Sequence, residues 1–354
     1  MPFPPPAEAA RDGWRAARAI GAIAERVAAL PVDEATARTT LSTAAQELGL
    51  RAAMREDAVR FASIRARIAA CPTCVFYDWA RDAASAFGNA EAAVPMFEPM
   101  AALIEGIRIV DDIQDEEPSC LAIEVGTERA LVFASGAFGV ALELIAELPL
   151  QGPSWRAAAN ALGRGLRETA AGQQLETAGA ADFDAFWNVV DRKTGPLVAT
   201  ALEVGALAAG AAPSAAAALT TLSLPLGRLL QIGDDCLDAL GAHASDWRAP
   251  RNNLLMLYAL SGPHAAELEA LFARAADPEA LHAAQVTLLR DGALAYAVHA
   301  QLTVLAQLAH AIVGLALPHP EALLRYVQHQ RAEAEMLLRR SGVEPELAAR
   351  LTSV

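Results

Sequence analysis

Helical periodicity runs through nearly all of this 354-residue chain, and strand patterning is scarce. Alanine, leucine, glutamate and arginine dominate, while β-branched residues occur only in short runs. Proline and glycine clusters near residues 30, 90, 150, 210, 250, 262 and 318 separate about ten to fourteen helices of ordinary length. No composition shift marks a domain boundary. The sequence therefore predicts one all-α domain over residues 13–354, after a disordered Pro-rich segment at residues 1–12.

The composition limits the possible partners of the chain. A net charge of −14 argues against nucleic acid and against an anionic membrane surface, because both would require a basic face. The N-terminus lacks the apolar core of a secretory signal, and the most apolar stretch, residues 195–227, reads as two helices joined at Pro213. We therefore expect a cytoplasmic protein that is not integral to a membrane. Four scattered cysteines predict neither a disulfide framework nor a zinc site.

An acidic motif continues an apolar helix face instead of opposing it. Met100, Ile104 and Ile107 recur at helical spacing. Two further steps of four residues along the same face reach Asp111 and Asp115. A solvated acidic patch would lie on the opposite face of the helix. The sequence therefore predicts that these carboxylates point the same way as the apolar side chains.

The same motif has the donor chemistry of a magnesium site. Asp111 and Asp115 lie one turn apart, with Cβ atoms about 5–6 Å from each other, and Asp112 adds a third carboxylate. Inward-facing like charges at this distance are costly unless a divalent cation lies between them. Oxygen donors without histidine or cysteine suit Mg²⁺, which commonly takes one or two carboxylates and completes its shell with phosphate oxygens.

This DDxxD spacing occurs a second time, again at the end of a mostly apolar helical run. Leu230 and Gln231 precede the motif on the face of Asp234. The second motif consists of Asp234, Asp235 and Asp238. One such motif could be accidental in a chain this acidic. Two motifs in matching positions favour a pair of metal-binding helix ends.

Basic and amide residues supply the third signal. The chain has one lysine, Lys193, and its other 27 Lys-or-Arg positions are arginine. Lys193 and Thr194 precede a long apolar run, where a compact ammonium group could contact a phosphate. Gln173, within the segment 172–176, offers an inward-facing amide on another helix.

Together these motifs resemble the trans-isoprenyl diphosphate synthase family over roughly residues 60–310. The family has a first DDxxD, a GQxxD-like segment, a Lys-Thr pair and an FQxxDDxxD, in that order. Here these are residues 111–115, 172–176, 193–194 and 230–238, with Leu230 in place of the phenylalanine. The resemblance implies an all-α class I isoprenoid synthase bundle around a central cavity, usually a homodimer.

The resemblance also implies roles for the motif residues. Both Asp motifs would hold about three Mg²⁺ ions, with Mn²⁺ as an alternative, and these would bind the diphosphate of a prenyl substrate. Lys193, Thr194 and Gln231 would contact that diphosphate. The residues expected to be catalytic are Asp111, Asp115, Asp234 and Lys193.

The chain departs from the family where the synthases bind isopentenyl diphosphate. By alignment, Ile64 replaces a lysine, Ile104 replaces a histidine, and Cys120 with Leu121 replaces two arginines. A diphosphate is not readily desolvated without cationic partners. We therefore expect that an allylic cation is attacked by the double bonds of its own chain. This predicts a Mg²⁺-dependent terpene synthase that cyclises a C15–C25 prenyl diphosphate, with farnesyl or geranylgeranyl diphosphate favoured.

In the family, residues four and five before the first aspartate gate the depth of the cavity. Ile107 and Gly106 occupy these positions without an aromatic plug, which implies room for a long prenyl chain. Aromatic faces could also stabilise positive charge within the cavity. The residues expected to line it are Ile104, Gly106, Ile107, Gln173, Leu230, Phe76 and Phe138.

Three arginines are further candidates for diphosphate contacts. Arg108 could contact the diphosphate or pair with Glu105, which lies three residues earlier on the same helix. Arg248 and Arg251 lie where lysines of the family touch phosphate, and surface loop arginines are the alternative interpretation.

Two other functions are compatible with the same motifs. One is a prenyltransferase that uses isopentenyl diphosphate, through repositioned arginines such as Arg60 or Arg67, or another acceptor. The other is a non-catalytic partner subunit of a prenyl synthase. Retention of both Asp motifs and of Lys193 weighs against the partner subunit, because a scaffold does not need them. The sequence does not determine the substrate length or the product skeleton.

Overall fold

The computed structural model describes residues 74–115, 121–146, 148–150, 152–176, 179–241, 247 and 252–340. Within these ranges every regular element is a helix, which confirms the predicted all-α class. Other predictions concern residues outside the described ranges. These are the disordered segment 1–12 and the positions of Arg60, Ile64, Arg67, Cys120, Arg248 and Arg251.

The structure divides into two compact units, and each is described by itself. The first takes residues 1–78 and 94–150, and the second takes residues 79–93 and 151–354. Helix α1 (Val75–Ala86) begins in the first unit and continues in the second. The single domain over residues 13–354 stays a prediction.

The described core of the first unit is formed by α2 (Phe97–Gln114), α3 (Leu121–Val125) and α4 (Thr127–Ala146). Helices α2 and α4 pack closely, because α4 presents alanines such as Ala130 and Ala134 towards Ile109 of α2. Small side chains on one helix allow the larger side chains of the other to fill the space between them.

The described residues of the second unit form ten further α-helices. They are α5 (Gly152–Glu176), α6 (Phe183–Lys193), α7 (Gly195–Ala208), α8 (Pro213–Ala218), α9 (Ser223–Leu240), α10 (Leu254–Leu260), α11 (Ala265–Phe272), α12 (Pro278–Arg290), α13 (Ala293–Gly314) and α14 (Glu321–Arg340).

Helix α7 lies at the centre of the second unit and packs against α5, α6 and α9. Nearly all of its side chains from Leu197 to Leu207 are buried, as its predominantly apolar sequence requires. Helix α9 packs in turn against α13, with Cys236 and Leu240 against Leu294. The helices that carry the Lys-Thr pair and the second Asp motif are thus attached to the same core.

Three helical stretches in the described residues are long and apolar enough to cross a membrane by length and composition alone. They are Thr127–Ala146, Pro213–Leu240 and Ala293–Gly314. The second of them is not one uniform helix, because it joins α8, a 3₁₀ turn and α9.

Candidate functional site

The first Asp motif occupies the carboxyl-terminal end of α2. The helix ends at Gln114, and the backbone N–H of Asp115 donates to the carbonyl oxygen of Asp111 at 2.9 Å. Asp111 and Asp112 are half-buried and Asp115 is exposed. The last turn of α2 contains no basic residue. Carboxylates at a helix carboxyl terminus face the negative end of the helix dipole, so this end of α2 favours a cation.

The apolar face of α2 becomes more exposed to solvent towards this motif. Met100 is fully buried, whereas Ile104, Ile107 and Asp111 are each half-buried. A face that only packed against the core would bury the two isoleucines completely. The two isoleucines therefore retain accessible apolar surface directly before the carboxylates.

An aromatic ring fills the space in front of Gly106, although neither gating position is aromatic. A Cβ atom added to Gly106 would lie 2.5 Å from Cε1 of Phe138, which projects from α4. Phe138 also packs against the core cluster formed by α2 and α4. The room expected at Gly106 from the sequence is thus occupied by a side chain 32 residues further along the chain.

The second Asp motif lies in the last two turns of α9, which also has no basic residue in its last turn. Asp234 and Asp238 are exposed, but Asp235 is only 1% exposed. The Asp235 carboxylate accepts a hydrogen bond from Leu254 N–H at 2.7 Å and one from Gln231 Nε2 at 2.7 Å. Asp235 therefore stabilises the start of α10 and orients Gln231.

Asn253 completes this buried connection, although it was not among the residues predicted from the sequence. Its side-chain oxygen caps α10 by accepting from the N–H groups of Leu255 and Met256, at 3.0 and 3.3 Å. Its Nδ2 donates to the carbonyl oxygen of Asp235 at 2.9 Å. An asparagine directly before the apolar run of residues 254–257 is a sequence signal for a helix N-cap.

Cys236 follows Asp235 and packs among apolar side chains. Burial and the neighbouring Asp235 carboxylate raise the pKa of its thiol to about 12. The side chain packs against α13 as an ordinary apolar group. Cys236 is a free cysteine.

The carboxylates of both motifs fit a hard divalent cation by their chemistry. They are oxygen donors at helix ends without neighbouring cationic residues in the last turn. Among the described residues, however, no three or more His, Cys, Asp or Glu side chains are grouped closely enough to hold a metal ion. A bound ion would therefore complete its shell with oxygens from another source, and phosphate oxygens meet that requirement.

Lys193 lies at the end of α6 and is held by Glu176 at the end of α5. Its Nζ donates to Glu176 Oε2 at 2.6 Å, and Gln173 Nε2 donates to the same oxygen at 3.1 Å. Gly172 brings the two helices together here, because a Cβ atom at this position would overlap the peptide between Arg192 and Lys193. The GQxxD-like segment thus supplies both the close approach and the ion-pair partner.

Lys193 and Gln231 line the same small cleft in the second unit. Glu176 and Asn252 also line it, and Asn252 Nδ2 donates to the backbone carbonyl of Glu176 at 3.3 Å. The cleft has a volume of about 10 Å³, enough for about one water-sized group, so a larger anion would reach Lys193 and Gln231 only from outside it. Thr194 is buried between α6 and α7, and its side chain does not cap α7.

The remaining candidates occupy varied surroundings. Arg108 forms a two-pronged ion pair with Glu105, with N–O distances of 3.0 to 3.1 Å, which was one of its two predicted roles. Phe76 is buried on α1, and Leu230 is half-buried on α9. The roles of these residues in substrate binding stay predictions, as do those of Arg248 and Arg251.

Residues 80–286 match the family described as Polyprenyl synthetase. The match covers more than half of the chain, and this protein therefore belongs to that family. The resemblance inferred from the motifs is confirmed.

Individual relatives agree with this family. The nonaprenyl diphosphate synthase of Mycobacterium tuberculosis is 30% identical over 212 residues, which make up 53% of this chain and 61% of that relative. The chain thus matches less than two thirds of the length of this curated relative.

Solved structures confirm the predicted all-α isoprenoid synthase fold. A geranylgeranyl pyrophosphate synthetase from the archaeon Geoglobus acetivorans matches with a TM-score of 0.65 and 20% identity, over 76% of this chain and 90% of that one. A polyprenyl synthase from Caulobacter crescentus, solved in complex with calcium and isoprenyl diphosphate, matches with a TM-score of 0.59 and 24% identity. That match covers 73% of this chain and 84% of the other.

These findings overturn the prediction of a cyclising terpene synthase. The family is described as Polyprenyl synthetase, and the curated relative is named a nonaprenyl diphosphate synthase. The prediction was wrong because it rested on cationic residues missing from four aligned positions. Arginines at other positions can supply the same charge.

Proposed function

We propose that this protein is a prenyltransferase that extends an allylic prenyl diphosphate with isopentenyl diphosphate, as a polyprenyl diphosphate synthase. The observation that carries this proposal is the convergence of Lys193 and Gln231 on one cleft, in a chain of the polyprenyl synthetase family. In this reaction the allylic C–O bond breaks and diphosphate leaves. The double bond of isopentenyl diphosphate then forms a new C–C bond, and a proton is lost to restore a double bond.

Lys193 has the environment of a diphosphate contact. Its ammonium group is mostly buried and is held by Glu176 at 2.6 Å, so it is already oriented before a substrate arrives. An arriving diphosphate offers more negative charge than a single carboxylate and competes with Glu176 for this ammonium group. Gln231 donates one N–H to Asp235 and has a second N–H for an anionic ligand.

The exposed or half-buried carboxylates of the two motifs are the proposed Mg²⁺ ligands. These are Asp111, Asp112 and Asp115 on α2, with Asp234 and Asp238 on α9. When bound, Mg²⁺ supplies Lewis acidity that neutralises the charge of the departing diphosphate. Asp235 was predicted in the same ligand set, but its two hydrogen bonds favour a structural role.

The apolar face of α2 is the proposed path of the prenyl chain. Ile104 and Ile107 keep accessible apolar surface directly before Asp111, so a chain anchored at the carboxylates would run along them. As part of the same proposal, the protein acts in the cytoplasm, as a homodimer, and outside the membrane. Isopentenyl diphosphate would be bound by arginines other than those at the aligned family positions.

Product analysis tests this function. Purified protein with Mg²⁺ is incubated with geranyl, farnesyl or geranylgeranyl diphosphate, each with and without isotopically labelled isopentenyl diphosphate. We expect longer linear diphosphates that contain the label and require both substrates. Omission of Mg²⁺ and the variant Asp111→Asn are the controls, and both should abolish the label in the product. Consumption of the allylic substrate without isopentenyl diphosphate, or no product from any pair, would contradict the proposal.

A further inference from the structure

A two-pronged ion pair joins α6 to α9 just before the residues of the candidate site. Arg228 Nε donates to Asp191 Oδ1 at 2.8 Å, and a terminal nitrogen of Arg228 donates to Oδ2 at 2.7 Å. Both oxygens of the carboxylate are therefore paired with the planar guanidinium group. This arrangement fixes orientation as well as distance, unlike a single ion-pair contact.

The ion pair is also held from one side by an aromatic ring. The guanidinium carbon of Arg228 lies 5.2 Å from the centre of the Trp187 ring, and Trp187 lies one turn before Asp191 on α6. The Trp187 ring in turn packs edge-on against Phe186, with ring centres 5.0 Å apart. The side-chain hydrogen bond to Asp191 raises the pKa of Arg228 above its ordinary value, so this guanidinium group stays charged.

The position of this pair along the two helices connects it to the site. Asp191 lies two residues before Lys193, in the last turn of α6. Arg228 lies three residues before Gln231 and six before Asp234, on α9. The pair therefore joins the turn that carries Lys193 to the helix that carries Gln231 and the second Asp motif.

A backbone contact next to the pair limits how these two segments can move. A Cβ atom at Gly227 would lie 3.3 Å from the backbone nitrogen of Gly195 and 3.6 Å from the carbonyl carbon of Thr194. Helix α9 thus touches the Lys-Thr turn directly at one residue, and the neighbouring Arg228 holds α6. The close backbone contact and the ion pair therefore lie at adjacent residues of α9.

From this geometry we infer that the Asp191–Arg228 pair, backed by Trp187, positions Lys193 and Gln231 for a shared diphosphate ligand. The inference rests on the proposed function, since that function supplies the diphosphate. Neither Asp191 nor Arg228 lines the cleft between Lys193 and Gln231, so they act through these residues. Asp191 and Arg228 are positioning residues.

A charge exchange tests the inference. The single variants Asp191→Arg and Arg228→Asp each place like charges together and should raise KM for the allylic diphosphate about ten- to hundredfold. The double variant with both changes restores the pair in reverse and should recover at least about tenfold of that loss. Arg228→Lys keeps the positive charge but loses the planar, two-pronged guanidinium group. Its KM should lie between those of wild type and Arg228→Asp.

A second ion pair of the same unit provides a matched control. Arg164 of α5 pairs with the buried Glu203 of α7, and neither residue lines the cleft of Lys193. Glu203→Gln should lower the thermal midpoint as much as the single variants do and should leave KM unchanged. An equal rise of KM in Glu203→Gln, or unchanged KM in both single variants, would overturn the inference. Failure of the double variant to recover any of the loss would also overturn it.

A binding measurement separates this inference from the proposed function. Calorimetry with Mg²⁺ and inorganic pyrophosphate needs no turnover and should show the same order of affinities as the KM values. If wild type makes no prenyl product, but the affinities of wild type and the variants for pyrophosphate follow this order, the proposed function fails and the positioning role stands. If wild type makes product but the single variants bind pyrophosphate as tightly as wild type, the positioning role fails alone.

Discussion

The two DDxxD motifs have the same spacing and a similar place at a helix end, but different surroundings. On α2 all three carboxylates are half-buried or exposed. On α9 the middle carboxylate, Asp235, is almost fully buried and is bonded to the first turn of α10 and to Gln231. The second motif therefore contains candidate metal ligands and also a carboxylate that connects α9 to α10.

This difference shows that the spacing of a motif does not determine the task of each carboxylate. Spacing fixes which side chains share a face of the helix. Burial and hydrogen bonding decide which of them can reach a ligand. The middle residues, Asp112 and Asp235, differ most between the two motifs, and their substitution compares the motifs most directly.

The largest effect is expected from the outer carboxylates. Asp111→Ala and Asp234→Ala should each lower kcat/KM of prenyl transfer by about 10³-fold or more, because each removes a proposed Mg²⁺ ligand. Both helices should keep their structure, since these two side chains are half-buried or exposed. The measurement is labelled-product formation, with circular dichroism as the control for folding. A loss in one variant alone would show that only that motif binds metal.

The next largest effect is a difference in stability between variants of the two middle carboxylates. Asp235→Ala should lower the free energy of unfolding by about 2–4 kcal/mol, because it leaves the Leu254 N–H buried without this acceptor. Asp112→Ala should change it by less than about 1 kcal/mol, because this residue is a half-buried carboxylate at the negative end of α2. Urea unfolding of both variants provides the comparison. Equal losses would mean that the two motifs are structurally equivalent.

A smaller effect concerns the helix that carries the first motif. Phe138→Ala removes the ring that fills the space before Gly106, so the variant should make longer prenyl products than wild type. Because Phe138 is half-buried, its replacement by alanine should lower the free energy of unfolding by about 1–3 kcal/mol. Product chain lengths are compared by mass spectrometry. Phe133→Leu, on the same helix and buried, is the matched control and should keep the wild-type length.

The smallest effect is a change of thiol reactivity behind the second motif. A thiol with a pKa near 12 is almost entirely protonated at pH 8, so iodoacetamide should alkylate Cys236 very slowly. The rate should rise with pH, because the thiolate fraction increases up to the raised pKa. Asp235→Ala should speed the reaction, since it removes one cause of the raised pKa and loosens the joint with α10. Peptide mapping measures Cys236 separately from the other cysteines.

Much of the fold was predictable because it depends on local periodicity. The spacing from Met100 to Asp115 predicted the face of α2 that opens at its carboxylates, and the breaker before Pro213 separates α7 from α8. The order of the four motifs was sufficient to predict the family. These signals lie within single helices or in the order of segments, which a sequence displays directly.

The features that the sequence could not provide are contacts between distant residues. Phe138 reaches Gly106 from another helix, and Arg228 reaches Asp191 across 37 residues. Neither pair has a spacing that marks it in advance. The cyclase prediction failed for a related reason, since it treated the loss of charge at aligned positions as a loss of charge in the site.

Lys193 gives the protein one feature that experiments can use directly. It is the only side-chain amine in the chain, and Glu176 holds it in a mostly enclosed place. An amine-selective reagent therefore has one side-chain target, and peptide mapping separates its attachment at Lys193 from attachment at a backbone α-amine. A ligand that replaces Glu176 as the partner of this amine would change the rate of attachment at Lys193, so the modified fraction of one peptide reports ligand binding.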